Sequence, residues 1–251
     1  MLSPFWTDAV IRCALAFPSF GPWLLVAVGL CVQAVGVLMV ARAHGVARAA
    51  AGEQAIVGDL PPVAEAESLG FFLPVLGAQV PSDPHLLPGA VRGYRRGQHE
   101  GVDFSCPPGT PVRAAAAGYV LSIEDEPNLP ERRREELLRY CRLRGETPGE
   151  VLDVLHGKRV VLCHGTLGGD LTTTSYSHLE QVEPSLRPGS DVDVGQVLGW
   201  AGNSGTSHAY DGGAWAELHF ELRRNGQPVG IGLPAQKIVA LYRDYLRREA
   251  L

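Results

Sequence analysis

Hydrophobic and polar residues alternate along this chain in three different ways. Residues 23–40 hold no charged side chain and one glutamine, and the uncharged run reaches outward to Cys13 and Ala41. A helix crosses a bilayer with about 20 mostly apolar residues, so a transmembrane anchor is expected over residues 21–42, after an N-terminal segment 1–20. Arg12 and Arg42 flank it. A cleavable signal peptide is the competing reading, but the apolar run is long for one. Residues 43–68 turn to Ala, Gly and scattered acids with Pro61-Pro62, the composition of a tether.

Further along, the period falls to two. Gly70-Phe71-Phe72-Leu73-Pro74-Val75 reads as an opening strand. Around residues 98–104, Gly97 and Gly101 with Val102 and Phe104 argue against a helix. As a strand, this segment sets His99, Gly101 and Asp103 on one face. In residues 217–222 the same period puts Glu217, His219 and Glu221 on one side and Leu218, Phe220 and Leu222 on the other, the pattern of a half-buried strand. Tyr176 and His178 likewise share a face, and residues 159–164 form an apolar strand ending at His164, which either lines a site or caps the strand.

The helical period appears twice more. Residues 129–156 begin near Pro130, place 131–136 on an exposed face with Leu137, Leu138 and Tyr140 opposite, and break between Gly145 and Gly149. Residues 234–251 carry Ile238, Leu241, Tyr242, Tyr245 and Leu246 at helical spacing, beyond a hairpin-type turn at Asn225-Gly226-Gln227-Pro228. The predicted fold is mainly β, an antiparallel sandwich or groove. Its domain is 69–233, interrupted by a helical insertion at 129–156 and followed by a C-terminal helix.

The chain has 251 residues, 45% hydrophobic and 20% charged, enough for one well-buried domain with attachments. Its net charge of -5 excludes a basic nucleic-acid binder. Five cysteines is an odd number. Cys13 and Cys31 fall in or beside the anchor, which leaves Cys106, Cys141 and Cys163, and Cys141 and Cys163 are available to pair outside the cytoplasm. Of the eight histidines, His44, His85 and His156 have no metal-like context and read as surface or structural.

The chemistry concentrates in three places. Two imidazoles and one carboxylate form the three-ligand set with an open position that catalytic zinc needs. His99, Asp103 and His219 are therefore the expected ligands of a Zn2+ cofactor. His178 is then a non-ligand imidazole able to stabilise an oxyanion or move a proton. Cys106 is either an extra soft ligand or an out-of-phase strand residue. Among Arg92, Tyr94, Arg95 and Arg96, an arginine suits a substrate carboxylate as well as it suits an ordinary basic turn.

At these residues the chain resembles the lysostaphin-type zinc metalloendopeptidases of bacterial cell walls, the LytM-like or duplicated-hybrid-motif peptidases. His99-Glu100-Gly101-Val102-Asp103 is similar to the family's H-x-G-x-D. Pro108-Gly109-Thr110-Pro111-Val112, Ala117-Gly118-Tyr119-Val120, Tyr176-Ser177-His178-Leu179, Gly195-Gln196-Val197-Leu198-Gly199, Gly202-Asn203-Ser204-Gly205-Thr206 and Leu218-His219-Phe220-Glu221 follow in the family's order. The resemblance runs from about residue 91 to 224. It implies a β groove, one zinc on the same three ligands, and hydrolysis of peptide bonds in peptidoglycan. It also implies a bacterial cytoplasmic membrane protein, single-pass, whose catalytic domain lies on the extracytoplasmic side, although the flanking arginines by themselves slightly favour the opposite orientation.

One position departs from the family. Its last motif is H-x-H, whose first histidine is a catalytic base, and Glu217 stands there. Glu217 is the expected base, since glutamate fills that role in other zinc proteases. A swing of His208, from the long segment 206–216, is the substitute. The alternative function is a member that has lost catalysis and serves as an amidase activator or wall-binding protein, with a wall hydrolase as its partner.

Overall fold

The computed structural model describes residues 70–247 apart from residue 213. The expected N-terminal segment 1–20, anchor 21–42 and linker 43–68 lie outside the described residues, as do Cys13, Cys31 and His44. Among the described residues no helix is long and apolar enough to cross a membrane.

The strands in chain order are β1 (Phe71–Phe72), β2 (Val91–Arg92), β3 (Gly97–Gln98), β4 (Val102–Ser105), β5 (Pro111–Arg113), β6 (Gly118–Glu124), β7 (Lys158–Leu167), β8 (Asp170–Val182), β9 (Asp191–Val192), β10 (Val197–Ala201), β11 (Glu217–Arg224), β12 (Gln227–Pro228) and β13 (Leu246–Arg247). Two insertion helices, Glu131–Arg144 and Gly149–His156, stand between β6 and β7, and a third helix, Ala235–Tyr245, follows β12. The main sheet has nine strands, ordered β12-β11-β8-β7-β6-β9, with β4 on β11 and with β10 joining β8 to β5. Its pairings are antiparallel. The described residues are thus mainly β with few helices.

Two features of this sheet position the site. β8 changes partner along one edge, pairing with β11 through Ser177 and with β10 from Leu179 onward. His178 sits at that change. There β8 carries an extra residue relative to β7, because Val160 faces Tyr176 while Lys158 faces Leu179. β11 is the other feature. Its alternation drives Leu218, Phe220 and Leu222 into the main core, where they are fully or almost fully buried beside Phe104 and Tyr176. The opposite face is not solvated as a half-buried strand would be. Glu217, His219 and Glu221 are 7%, 3% and 1% exposed, so their polar atoms need partners inside the protein.

The segment read as one strand over 98–104 is two. β3 pairs with β2 in a separate hairpin, β4 pairs with β11, and His99 lies in the connection between them. Gly101 explains the break, since a methyl group there would run into the Phe220 carbonyl. The backbone of His99 is held by Ala90 and Gly89 instead of by the main sheet, with N–H to O distances of 2.8 Å.

The insertion breaks at Gly145, whose φ of 79 closes the first helix, and it carries its own small core of Leu138, Cys141, Val151 and Leu155. Two of its residues differ from expectation. Arg134 is buried and donates to the Gly205 carbonyl at 3.2 Å, while Tyr140 is left exposed. The C-terminal helix ends at Tyr245, and Leu246 then starts a short parallel pairing with β1. Cys106, Cys141 and Cys163 are free. Cys141 belongs to the insertion core and Cys163 to β7 opposite Tyr119, so the Cys141–Cys163 pair offered by the sequence does not form.

Candidate metal centre

His99 and Asp103 approach β11 from one side and meet His219 there. Asp103 lies directly opposite His219 in the β4–β11 register, so the two side chains share a face. His99 Nε2, Asp103 Oδ1 and His219 Nδ1 stand 2.8–2.9 Å from one another, and all three residues are buried.

Hydrogen bonds around the triad settle which atoms carry protons. The Leu87 carbonyl can only accept, so the proton of neutral His99 is on Nδ1, 3.0 Å from it, and Nε2 turns a lone pair to the centre. Burial holds the His99 ring below its ordinary value and therefore neutral. His219 Nε2 is 3.0 Å from Glu221 Oε1, a carboxylate acceptor. Arg92 donates to Asp103 Oδ2 at 3.2 Å and to the His85 carbonyl at 2.9 Å, which leaves Asp103 Oδ1 for the centre.

Three electron-rich atoms this close repel unless a positive charge lies among them. In the metal-free chain a proton on His219 supplies it. Burial alone would lower that ring, but the hydrogen bonds and charges of Asp103 and Glu221 outweigh it and push His219 up to about 10. Burial likewise works against the Asp103 carboxylate, and the two histidines overcome it to hold the group well below its usual range. Two imidazoles and a carboxylate are a zinc-type donor set, so a divalent cation fits where the proton sits.

Glu221 anchors the second side of His219. It accepts from His156 Nε2 at 3.1 Å and from Arg223, and the His156 ring stacks on His219 with centroids 5.1 Å apart. His156 Nδ1 accepts from Arg159 at 3.0 Å, which places the His156 proton on Nε2. His156, Glu221 and His219 also fall within ligand distance of one another, yet their facing atoms are already paired as donors and an acceptor.

His178 reaches the site through strain. Regular alternation would keep it on the face of Tyr176, which lies in the core with its hydroxyl 2.8 Å from the Ala115 N–H. The extra residue in β8 and a φ of 63 at His178 turn its ring to the opposite face. Nδ1 lies 2.8 Å from the Ser204 carbonyl, so Nδ1 holds the proton and Nε2 carries the lone pair. Burial, reinforced by His219 and His156, lowers this ring to about 3. Glu217 Oε1 is 3.9 Å from His178 Nε2, and burial together with the nearby Asp103 charge pushes Glu217 up to about 8.

These groups open on a cleft of about 440 Å³, walled by Arg92, Leu138, Arg142, Leu155, His208 and Trp215 among others. His208 stands at the rim, paired with Asp211 at 2.9 Å and packed on Trp215. Cys106 packs against the main core, and His85 is exposed. His164 takes no part in the cleft, because it is buried on Ala117 and Thr174. The sequence reading missed His156. The one signal available was Glu221, a second carboxylate on the polar face of β11 that would need a buried partner.

The sequence model of Peptidase family M23 matches residues 146–231, a span holding His178, Glu217 and His219 but neither His99 nor Asp103. The DD-carboxypeptidase/endopeptidase Mpg of Neisseria meningitidis serogroup B is 27% identical over 143 residues, which are 56% of this chain and 24% of that protein. This chain therefore spans about a quarter of the length of the curated relatives it matches. Among solved structures, a putative peptidase M23 from Pseudomonas aeruginosa is 21% identical with a TM-score of 0.44, over 80% of this chain and 62% of that one. A zinc containing peptidase from Vibrio cholerae is 24% identical with a TM-score of 0.35, over 55% of this chain and 31% of that one.

Proposed function

We propose that this chain, which carries a lysostaphin-type domain of Peptidase family M23, is a zinc metalloendopeptidase that hydrolyses peptide bonds of bacterial peptidoglycan. The observation that carries the reading is the convergence of His99 Nε2, Asp103 Oδ1 and His219 Nδ1 on one point beside an open cleft. The name of the Neisseria relatives, with both carboxypeptidase and endopeptidase in it, supports hydrolysis of peptide bonds.

In this reading His99, Asp103 and His219 hold the cation. When bound it supplies Lewis acidity, polarising the scissile carbonyl and making water acidic enough to attack near neutral pH. Arg92 keeps Asp103 turned inward, and Glu221 fixes the His219 ring. His178 manages protons. With Nδ1–H committed to Ser204, the His178 ring offers Nε2 as a proton acceptor and, once protonated, as a donor to the oxyanion. Glu217, the base expected from sequence, has Oε1 3.9 Å from that nitrogen, too far for a hydrogen bond, so its part in this reading is a charge beside the protonated ring, which itself returns the proton to the leaving amine. The domain is the family's β groove over residues 69–233. It is held outside the bacterial cytoplasmic membrane by a single-pass anchor at 21–42 through a tether at 43–68.

A second reading is favoured by one observation. Glu217 stands where the family has a histidine, and burial beside Asp103 opposes its ionisation. A groove that binds wall peptides without cutting them, acting as an amidase activator, would result. The test is to purify the full chain in detergent, measure its zinc, and incubate it with purified peptidoglycan alongside His219→Ala and Glu217→Gln. Wild type is expected to bind zinc and release peptides, His219→Ala to lose both, and Glu217→Gln to keep zinc and lose the released peptides. Bound zinc without products selects the second reading, and no bound metal overturns the enzyme reading.

A further inference from the structure

The insertion between β6 and β7 does more than wall the cleft. Its second helix ends at His156, and the chain leaves it through Gly157 in an extended conformation with a positive φ of 62. That ending delivers two contacts. His156 Nε2 donates to Glu221 Oε1, the same oxygen that accepts from His219 Nε2, while its ring lies nearly parallel to His219 at 24°. At Gly157 the backbone runs against Ser204 so closely that a methyl group would collide with the Ser204 backbone. Lys158 N–H donates to Ser204 Oγ at 2.8 Å, and the Ser204 carbonyl is the acceptor for His178 Nδ1.

His156 is itself held from behind. Arg159 reaches its Nδ1 and is tied to Glu124 at 3.1 Å and to Asp153 at 3.0 Å. The chain of contacts is therefore continuous: Glu124 and Asp153 orient Arg159, Arg159 sets the tautomer of His156, and His156 aims Glu221 at His219. The outer end of this line, at Asp153 and Glu124, is open to solvent, while its inner end is buried, with His156 4% and Glu221 1% exposed. A carboxylate behind a metal-binding histidine fixes the ring and tunes its basicity, and a second donor on that carboxylate limits how far it takes the ring's proton.

We infer that His156 is a positioning residue of the metal centre, and that through it the insertion sets the centre's affinity for its cation. This rests on the reading that His99, Asp103 and His219 bind a metal. Without His156, Glu221 keeps only Arg223 and His219 as partners, and His219 loses its stacking neighbour and the second donor that fixes the carboxylate facing it.

The test uses the full chain in detergent with His156→Gln and His156→Asn. The Gln amide nitrogen reaches the place of Nε2 and can donate to Glu221, whereas that of Asn corresponds to Nδ1 and cannot. Zinc affinity is measured by chelator competition, the Co2+-loaded absorption spectrum reports ligand geometry, and thermal unfolding of the metal-free chain reports fold. The expected result is an affinity loss of about 10- to 100-fold in His156→Asn, with a shifted Co2+ spectrum, and recovery of most of both in His156→Gln. Wild-type affinity and spectrum in both variants, or equal losses in the two that follow metal-free stability, overturn the inference while leaving the triad intact. A wild-type chain that binds no metal overturns the triad and this inference together. Should both variants fail to fold, Arg159→Met removes the contact at Nδ1, together with the ion pairs to Glu124 and Asp153, while leaving the His156 ring in place. A weaker zinc affinity is expected there, and an unchanged one overturns the proposal.

Discussion

Acidification should destabilise this protein through a histidine that never touches the cleft. His164 is fully buried on β7, with Nδ1 2.8 Å from the Ala117 carbonyl and Nε2 2.7 Å from Thr174 Oγ1. The carbonyl only accepts, so the ring is neutral with its proton on Nδ1, and Nε2 takes the Thr174 hydroxyl proton. Thr174 Oγ1 is in turn 3.0 Å from the Tyr176 hydroxyl, and the Ala115 N–H donates to that hydroxyl. A second proton on His164 would place a charge out of water with no carboxylate among its hydrogen-bond partners and would turn the Thr174 hydroxyl toward Tyr176. Burial accordingly lowers its pKa from 6.5 to about 4. The unfolded chain then binds more protons than the folded one between those values, so stability is complete above pH 6.5 and falls as pH drops toward 4. The loss from this residue alone amounts to about 2 kcal/mol at pH 5 and about 3 kcal/mol at pH 4. Buried His99, His156 and His178 act in the same direction, so the contribution of His164 must be read as a difference. In His164→Phe the ring keeps its packing near Phe71 but loses both hydrogen bonds, which costs about 1–3 kcal/mol at pH 7. Urea unfolding of wild type and variant at pH 7 and pH 4 should show that gap shrinking by about 3 kcal/mol, to zero or to reversal. A gap of the same size at both pH values would refute the neutral, buried imidazole.

Three further outcomes follow from the same geometry. Phe220→Ala removes a fully buried ring that packs on Tyr176 and Phe104, and should lower stability by about 3–5 kcal/mol in denaturant unfolding. Gly157→Ala places a methyl against the Ser204 backbone at a positive φ, and should cost at least about 2 kcal/mol by thermal unfolding, whereas Gly109→Ala, at a φ of 75 with open space, should cost less. Arg92→Met frees Asp103 Oδ2, and chelator competition should show zinc affinity weaker by about 10-fold or more, with the metal-free chain still folded.

The elements whose period is intrinsic to the chain were legible in the order of residues alone. The alternation of Leu218, Phe220 and Leu222 with Glu217, His219 and Glu221 sets strand and faces together, because neighbouring side chains of an extended chain must point in opposite directions. The apolar spacing of the insertion and the break at Gly145 were legible for the same reason. The grouping of His99 and Asp103 was also legible, although the continuous strand that suggested it is interrupted at Gly101 by the close approach of Phe220. Tertiary structure decided what local period cannot encode. His178 lies out of phase with its strand and reaches the cleft only through the extra residue in β8, where β11 gives way to β10 along its edge. His156 has no local sign of its role, because the partner that gives it one, Glu221, lies far along the chain and meets it only when the insertion folds over the polar face of β11. Burial made the difference in each case. A carboxylate and an imidazole drawn out of water must find each other, and which pair does so depends on how the strands and helices close around them.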